Sequence, residues 1–337
     1  MAAFGKKNFL YFCLKCVIVY KSWFEGRKYV RKRRNALLAR LGTGRSRPPR
    51  YPPTPHSKMI YMPDYFADRY LAAEIVAEKT SGKMPSAERR AVFTYGMPGS
   101  GKSRLIEDLS RKDVSLAVLS IDEIFQCSPH FADIVRPPRF NRHDDPFSDR
   151  AFMAFGGDVM GYAIERLKET PYSVAVDGLG GQMLPQMYKY LEKSGYRTRI
   201  IVAAVPKRIM DMNMLTRFIA VRTGGDRHFS FALERSKKMV EYYASYVDSL
   251  QKLGFELQIV NPADGRTLGG NRASAGVLKE FSRPLTAFET AELRHRRELL
   301  LPRVEKVADP VERRQLRNAL DCCLRPFAAP EYKFSSR

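Results

Sequence analysis

Several features that would place this chain in a familiar class are scarce or missing. Its five cysteines (Cys13, Cys16, Cys127, Cys322 and Cys323) are too few for a disulfide framework in a chain of 337 residues. Cys13-x-x-Cys16 has no second pair at zinc spacing and lies in an apolar run, which excludes a zinc ribbon or thioredoxin-like reading. A reducing compartment, the cytoplasm, is the expectation. The apolar run NFLYFCLKCVIVY (8–20) is interrupted by Lys15 and is too short to cross a bilayer. Lys6 and Lys7 precede it as in a signal peptide, yet no small-residue cleavage site follows. A membrane-surface helix and an ordinary packed segment are its two readings. No internal repeat period is visible.

Acidic residues are also missing where they would balance the charge. Residues 1–50 hold 14 Lys and Arg against one acid, Glu25, whereas the rest of the chain holds 44 basic and 35 acidic residues. The net charge of +22 therefore sits mostly in a basic N-terminal arm. Such an arm is either a solvated tail or a contact for nucleic acid, an acidic membrane surface or an acidic protein. No RNA-binding module is recognisable, and aromatic and basic residues do not interleave around the motif described next.

What is present is an ordinary globular composition, 44% hydrophobic and 28% charged, long enough for one large core or two smaller ones. The Pro/Gly/Arg-rich GTGRSRPPRYPPTPHS (42–57) reads as a linker closing the arm, giving segments 1–57, 58–262 and 263–337. In the middle segment short apolar runs alternate with helical patterns. AVFTY (91–95), VSLAVLSID (114–122), YSVAVDG (172–178), TRIIVAAVP (198–206) and FELQIV (255–260) read as strands. Helices fit 64–82, 103–112, 149–169, 183–195, 206–222 and 229–254. That alternation predicts an α/β fold, an open parallel sheet covered by helices on both faces. The last segment reads as a basic helical extension.

Between the first strand and its helix stands TYGMPGSGKSRL, with Gly96, four free positions, Gly101, Lys102 and Ser103. This is the phosphate-loop spacing, and its strand–loop–helix setting is the one the chemistry requires. Four fixed positions of these types arise by chance in roughly one chain in a hundred of this length. Gly96, Met97, Pro98, Gly99, Ser100, Gly101, Lys102, Ser103 and Arg104 are the candidate nucleotide-binding residues. The glycines let backbone N–H groups surround the phosphates of ATP, and the helix N-terminus adds its positive end. Lys102 would neutralise the β/γ-phosphates and Ser103 would ligate Mg²⁺.

Ligands of open α/β sheets lie beyond the carboxyl ends of the strands. There the sequence supplies Asp122 and Asp177. One can take the proton of an attacking hydroxyl and the other can hold Mg²⁺ or its waters. Each also has the plainer reading of an aspartate capping the next helix. Arg217, Arg222 and Arg227, around the Gly224-Gly225 pair, supply cations for a transferring phosphate, or are solvated side chains.

Residues 91–261 resemble the zeta-toxin kinase family in four pieces: GMPGSGKS, IDEIFQCSPHF, VAVDG and KSGYRTRIIVAAVPK. The resemblance covers about half the chain. It implies a P-loop kinase in which Lys102 and Ser103 bind the nucleotide and Mg²⁺. Asp122 is then the base that activates the acceptor hydroxyl, and Arg217 and Arg227 stabilise the transferring phosphate. Asp177 and Gly178 fall where the family has Glu-Gly-Thr beside the acceptor. The implied acceptor is the sugar hydroxyl of a nucleotide-type small molecule such as UDP-N-acetylglucosamine. Effector-type relatives, exported into a host cell, phosphorylate a ribose hydroxyl of NAD instead. An antitoxin or chaperone-like protein is the implied partner. The departures lie on the acceptor side: Leu179 replaces the family's Thr, Gly181 its Arg, and Gly161 its helix Glu, with Asp158 and Glu165 close by. A polynucleotide kinase, and a nucleotide-gated binding protein without catalysis, are the rival readings.

Overall fold

The computed structural model describes residues 65–128, 150–181, 183–224, 236–268 and 273–325, all within the compact unit Met59–Arg337. The basic arm and linker, Arg227, and Pro129 and Phe131 of the family-like stretch lie outside the described residues.

Five strands form one parallel sheet: β1 (Arg90–Gly96), β2 (Leu116–Ser120), β3 (Ser173–Asp177), β4 (Arg197–Ala203) and β5 (Leu257–Val260), in the order β2-β3-β1-β4-β5. The helices are α1 (Tyr65–Thr80), α2 (Lys102–Lys112), α3 (Ile121–Gln126), α4 (Arg150–Lys168), α5 (Met183–Lys193), α6 (Lys207–Gly224), α7 (Ser236–Lys252), α8 (Ala273–Ser282), α9 (Ala287–Val304) and α10 (Pro310–Leu324). The strands are near-continuous apolar runs because both faces are covered; all five residues of β3 are buried.

Side chains alternate across a strand, so one strand feeds two cores. Ala91 and Phe93 of β1 join the main core with α1, α4, α5, α7 and α8, while Val92 meets Leu105 of α2, Ile201 and Val260 on the other face. A further core joins Met212, Leu215 and Ile219 of α6 to Leu293, Leu300, Leu316 and Leu320 of the α9–α10 hairpin. The hairpin is pinned by polar contacts as well. Thr286 and Glu289 cap α9 reciprocally, Asp309 caps α10, and Arg222 of α6 meets both carboxylate oxygens of buried Glu312.

Two sequence expectations change in detail. The second strand stops at Ser120, and Asp122 lies in the first turn of α3, with Ser120 at the cap position. The segment read as a C-terminal extension is partly core: Val277, Leu278 and Phe281 of the helix Ala273–Ser282 belong to the main core.

Candidate functional site

Register brings three strand ends level. Thr94 of β1 and Ser120 of β2 both pair with Asp177 of β3. The phosphate loop leaves β1 at Gly96, and Asp122 follows two residues after Ser120. Loop, Asp177 and Asp122 are thus set in a row across the carboxyl edge of the sheet, as ligand sites of such sheets are. Asp177, not Asp122, is on the strand next to the loop strand.

The loop conforms to anion binding. Gly99 has φ +81°, and a Cβ there would stand 2.6 Å from the Met210 carbonyl, so only glycine fits. Gly101, at φ +90°, precedes α2, which has no side-chain cap and no acidic residue in its first turn. The helix therefore presents an uncompensated positive end. Met97 and Ser100 are buried, Pro98 is half-buried, and the Ser100 hydroxyl has no hydrogen-bond partner. Lys102 turns back under the loop and donates to the carbonyls of Gly96 at 2.8 Å and Met97 at 3.2 Å. Ser103 and Arg104 are exposed on the first turn of α2, with the Arg104 guanidinium reaching the Ala263 carbonyl at 3.5 Å.

The charges converge on one place. Burial lowers the pKa of Lys102, opposed by Asp177 and Asp122 and reinforced by Arg217. Asp122 is exposed to solvent, yet the protein packed around it raises its carboxyl above the usual range. Lys102 and Arg217 pull it down and Asp177 pushes it further up. Asp177 is buried and accepts from Thr94 Oγ1 at 2.6 Å. Gly178, which follows it, lies against α3: a Cβ there would stand 2.5 Å from Ile121, so glycine lets the turn carrying Asp122 close on the end of β3.

Of the predicted residues, Lys102, Asp122, Asp177 and the exposed Arg217 are thus brought together electrostatically. Arg222 is not among them, because it is clasped by Glu312. On the acceptor side, Leu179 is buried in the main core and the Gly181 carbonyl accepts from Tyr246 Oη. Gly161 faces open space, Glu165 is bonded to Arg69 at 3.0 Å, and burial raises the Asp158 carboxyl. Three further residues, Thr94 and the Asn213–Arg296 pair beside Gly99, carry no sequence signal, since their partners lie 83 to 114 positions away.

Among the described residues no group of three or more His, Cys, Asp or Glu side chains could hold a metal ion. A Mg²⁺ ion held here would draw most of its ligands from phosphate oxygens and water. No helix among the described residues is long and apolar enough to cross a membrane. The described cysteines, Cys127, Cys322 and Cys323, form no disulfide with one another.

No protein-family model and no curated protein matches the chain. Among solved structures it is similar to the zeta toxin of the PezAT chromosomal toxin–antitoxin system of Streptococcus pneumoniae. The TM-score is 0.60 at 16% identity, over 73% of this chain and all of the other. The AvrRxo1-ORF1:ORF2 complex, solved with sulphate ions and with ATP, matches 77% of this chain and 82% of its own at TM-score 0.35 and 12–13% identity. The first likeness shows the fold alone: an open, all-parallel α/β sheet flanked by helices, of the P-loop kinase-like kind.

Proposed function

We propose that this chain is an ATP-dependent kinase that transfers the γ-phosphoryl group to a sugar hydroxyl of a nucleotide-type small molecule, a nucleotide sugar of the UDP-N-acetylglucosamine kind. The observation that carries the reading is the convergence of Lys102, Asp122, Asp177 and Arg217 around the loop at the carboxyl edge of the sheet. A loop alone would bind phosphate; a carboxylate with a raised pKa facing a lysine and an arginine is equipped to move a proton while charge builds on a phosphoryl group.

Each residue then has a role. The loop amides and Lys102 hold the phosphates, and Ser103 and Asp177 hold Mg²⁺, with Thr94 fixing the Asp177 carboxylate. Bound Mg-ATP supplies the γ-phosphoryl group. Asp122 accepts the acceptor hydroxyl proton as the new P–O bond forms and the bond to the β-phosphate oxygen breaks. Arg217 neutralises the equatorial oxygens, a role that the family resemblance assigns to Arg227 as well. Gly178 lets α3 close on the end of β3 and so sets Asp122 beside Asp177. Because Leu179 is buried and Gly181 is engaged through its carbonyl, acceptor recognition must use other groups than the family's Thr and Arg. NAD is therefore the second acceptor to test. An antitoxin-type protein partner belongs with this reading, since PezAT is by its own description a toxin–antitoxin system. The basic arm offers a contact for nucleic acid or an acidic membrane surface.

The test is a panel of UDP-sugars, NAD and short RNA incubated with the protein and Mg-ATP, with products read by mass. A product one phosphoryl group heavier, formed on a UDP-sugar, is expected. Phosphorylated NAD or RNA in its place would reassign the acceptor, and ATP binding with no phosphorylated product would refute the kinase.

A further inference from the structure

Loop amides can face an anion only if the loop carbonyls are held elsewhere, and one of them is held from outside the loop. Asn213 of α6 donates from Nδ2 to the Gly99 carbonyl at 2.8 Å. Its Oδ1 accepts from Arg296 Nη1 of α9 at 2.7 Å. A guanidinium only donates, so Arg296 decides which way the Asn213 amide points and leaves Nδ2 for the loop. Arg296 is itself bonded to Glu292, one turn earlier on α9. The relay joins the hairpin to the apex of the phosphate loop.

The same face of α6 carries more of the site. Besides the Met210 carbonyl, the Met214 side chain closes on Gly99, 3.0 Å from where a Cβ would be. Positions 210, 213, 214 and 217 follow the spacing of a single helix face, so the stripe that seats the loop also presents Arg217. The rotation of α6 about its axis is fixed by the hairpin, through the Met212–Leu293 core and the Arg222–Glu312 clasp.

We infer that Asn213 and Arg296 are positioning residues through which the C-terminal hairpin presets the phosphate loop for nucleotide. This rests on the loop being a nucleotide site and goes beyond it, giving the hairpin a part in nucleotide affinity. The relay holds the Gly99 carbonyl, whose oxygen would repel phosphate oxygens if it turned toward the anion.

The test is equilibrium titration of the full chain with Mg-ATP, well below its unfolding temperature, for the wild type, Asn213→Ala, Arg296→Ala and the double variant. Circular dichroism checks that each is folded. Asn213→Ala should weaken binding about tenfold, the scale of one lost charge-adjacent hydrogen bond. Arg296→Ala should weaken it several-fold, and the double variant should bind no worse than Asn213→Ala, because Arg296 acts through Asn213. Arg297→Ala removes a 2.7 Å bond to Asp321 on the same hairpin and controls for mere loss of hairpin stability; its affinity should stay at the wild-type value. Wild-type affinity in Asn213→Ala, losses that multiply in the double variant, or an equal loss in Arg297→Ala would each overturn the inference. A wild type that does not bind Mg-ATP would remove its premise, and the kinase reading with it.

Discussion

Burial shifts Asp122 and Lys102 toward each other, against their mutual attraction, in a way that a pH profile can read. Burial raises the Asp122 carboxyl and lowers the Lys102 ammonium, each from its ordinary value of 3.8 and 10.5 respectively. The working forms are the ionised carboxylate and the charged ammonium. As pH falls, Asp122 is neutralised earlier than an ordinary carboxyl; as pH rises, Lys102 loses its charge earlier than an ordinary lysine. The profile of kcat/KM should therefore narrow from both sides, with an acid limb above about pH 4 and an alkaline limb below about pH 10.5. A profile flat down to pH 4 would exclude Asp122 as the base. Thr94→Val tests the neighbouring carboxylate. It removes the 2.6 Å bond to a buried Asp177 and should raise the Mg²⁺ concentration needed for half-maximal rate several-fold, with little change in the KM for ATP. At this scale the loop was legible because its chemistry is local: spacing alone fixes Gly96, Gly101, Lys102 and Ser103. Thr94, Asn213 and Arg296 were not, since nothing near them in sequence marks a partner 83 or more positions away.

Among the elements, α3 matters most, because it carries Asp122 on a helix of six residues. It is held by Phe125, 1% exposed, whose ring lies against Gly156 of α4; a Cβ on Gly156 would stand 2.2 Å from that ring. Gly156→Ala gains up to about 1 kcal/mol of helix propensity but overpacks a rigid buried ring at a cost of about 1–3 kcal/mol. The steric term wins, so denaturant titration should show net destabilisation, and phosphoryl transfer should fall more than Mg-ATP affinity as α3 is displaced. Sequence patterning located the helices and strands of the middle segment but blurred this junction. Ile121 continues the apolar run of β2, and periodicity cannot mark where a strand turns into a helix of six residues whose first residue is also apolar. Strand order was equally hidden: the sequence pattern does not say that β3 lies between β1 and β2.

For the whole molecule, the α9–α10 hairpin is the part least foreseen in its consequences. Its charged helices read as an appendage, yet α6 contributes Met212, Leu215 and Ile219 to the hairpin core and Met210 to the main one. One helix shared by two cores predicts one cooperative unfolding transition for the described unit. Leu316→Ala, at a fully buried position, should lower its stability by about 2–5 kcal/mol without splitting the transition in two. Two separable transitions would show the hairpin to be an independent body.

The central claim is that loop and Asp122 form a single phosphoryl-transfer site. Its most direct measurement compares wild type and Asp122→Asn for Mg-ATP binding and for phosphate transfer to the acceptor panel. The variant is expected to bind Mg-ATP within a few-fold of wild type and to form no phosphorylated product. Transfer at the wild-type rate by Asp122→Asn would contradict the claim.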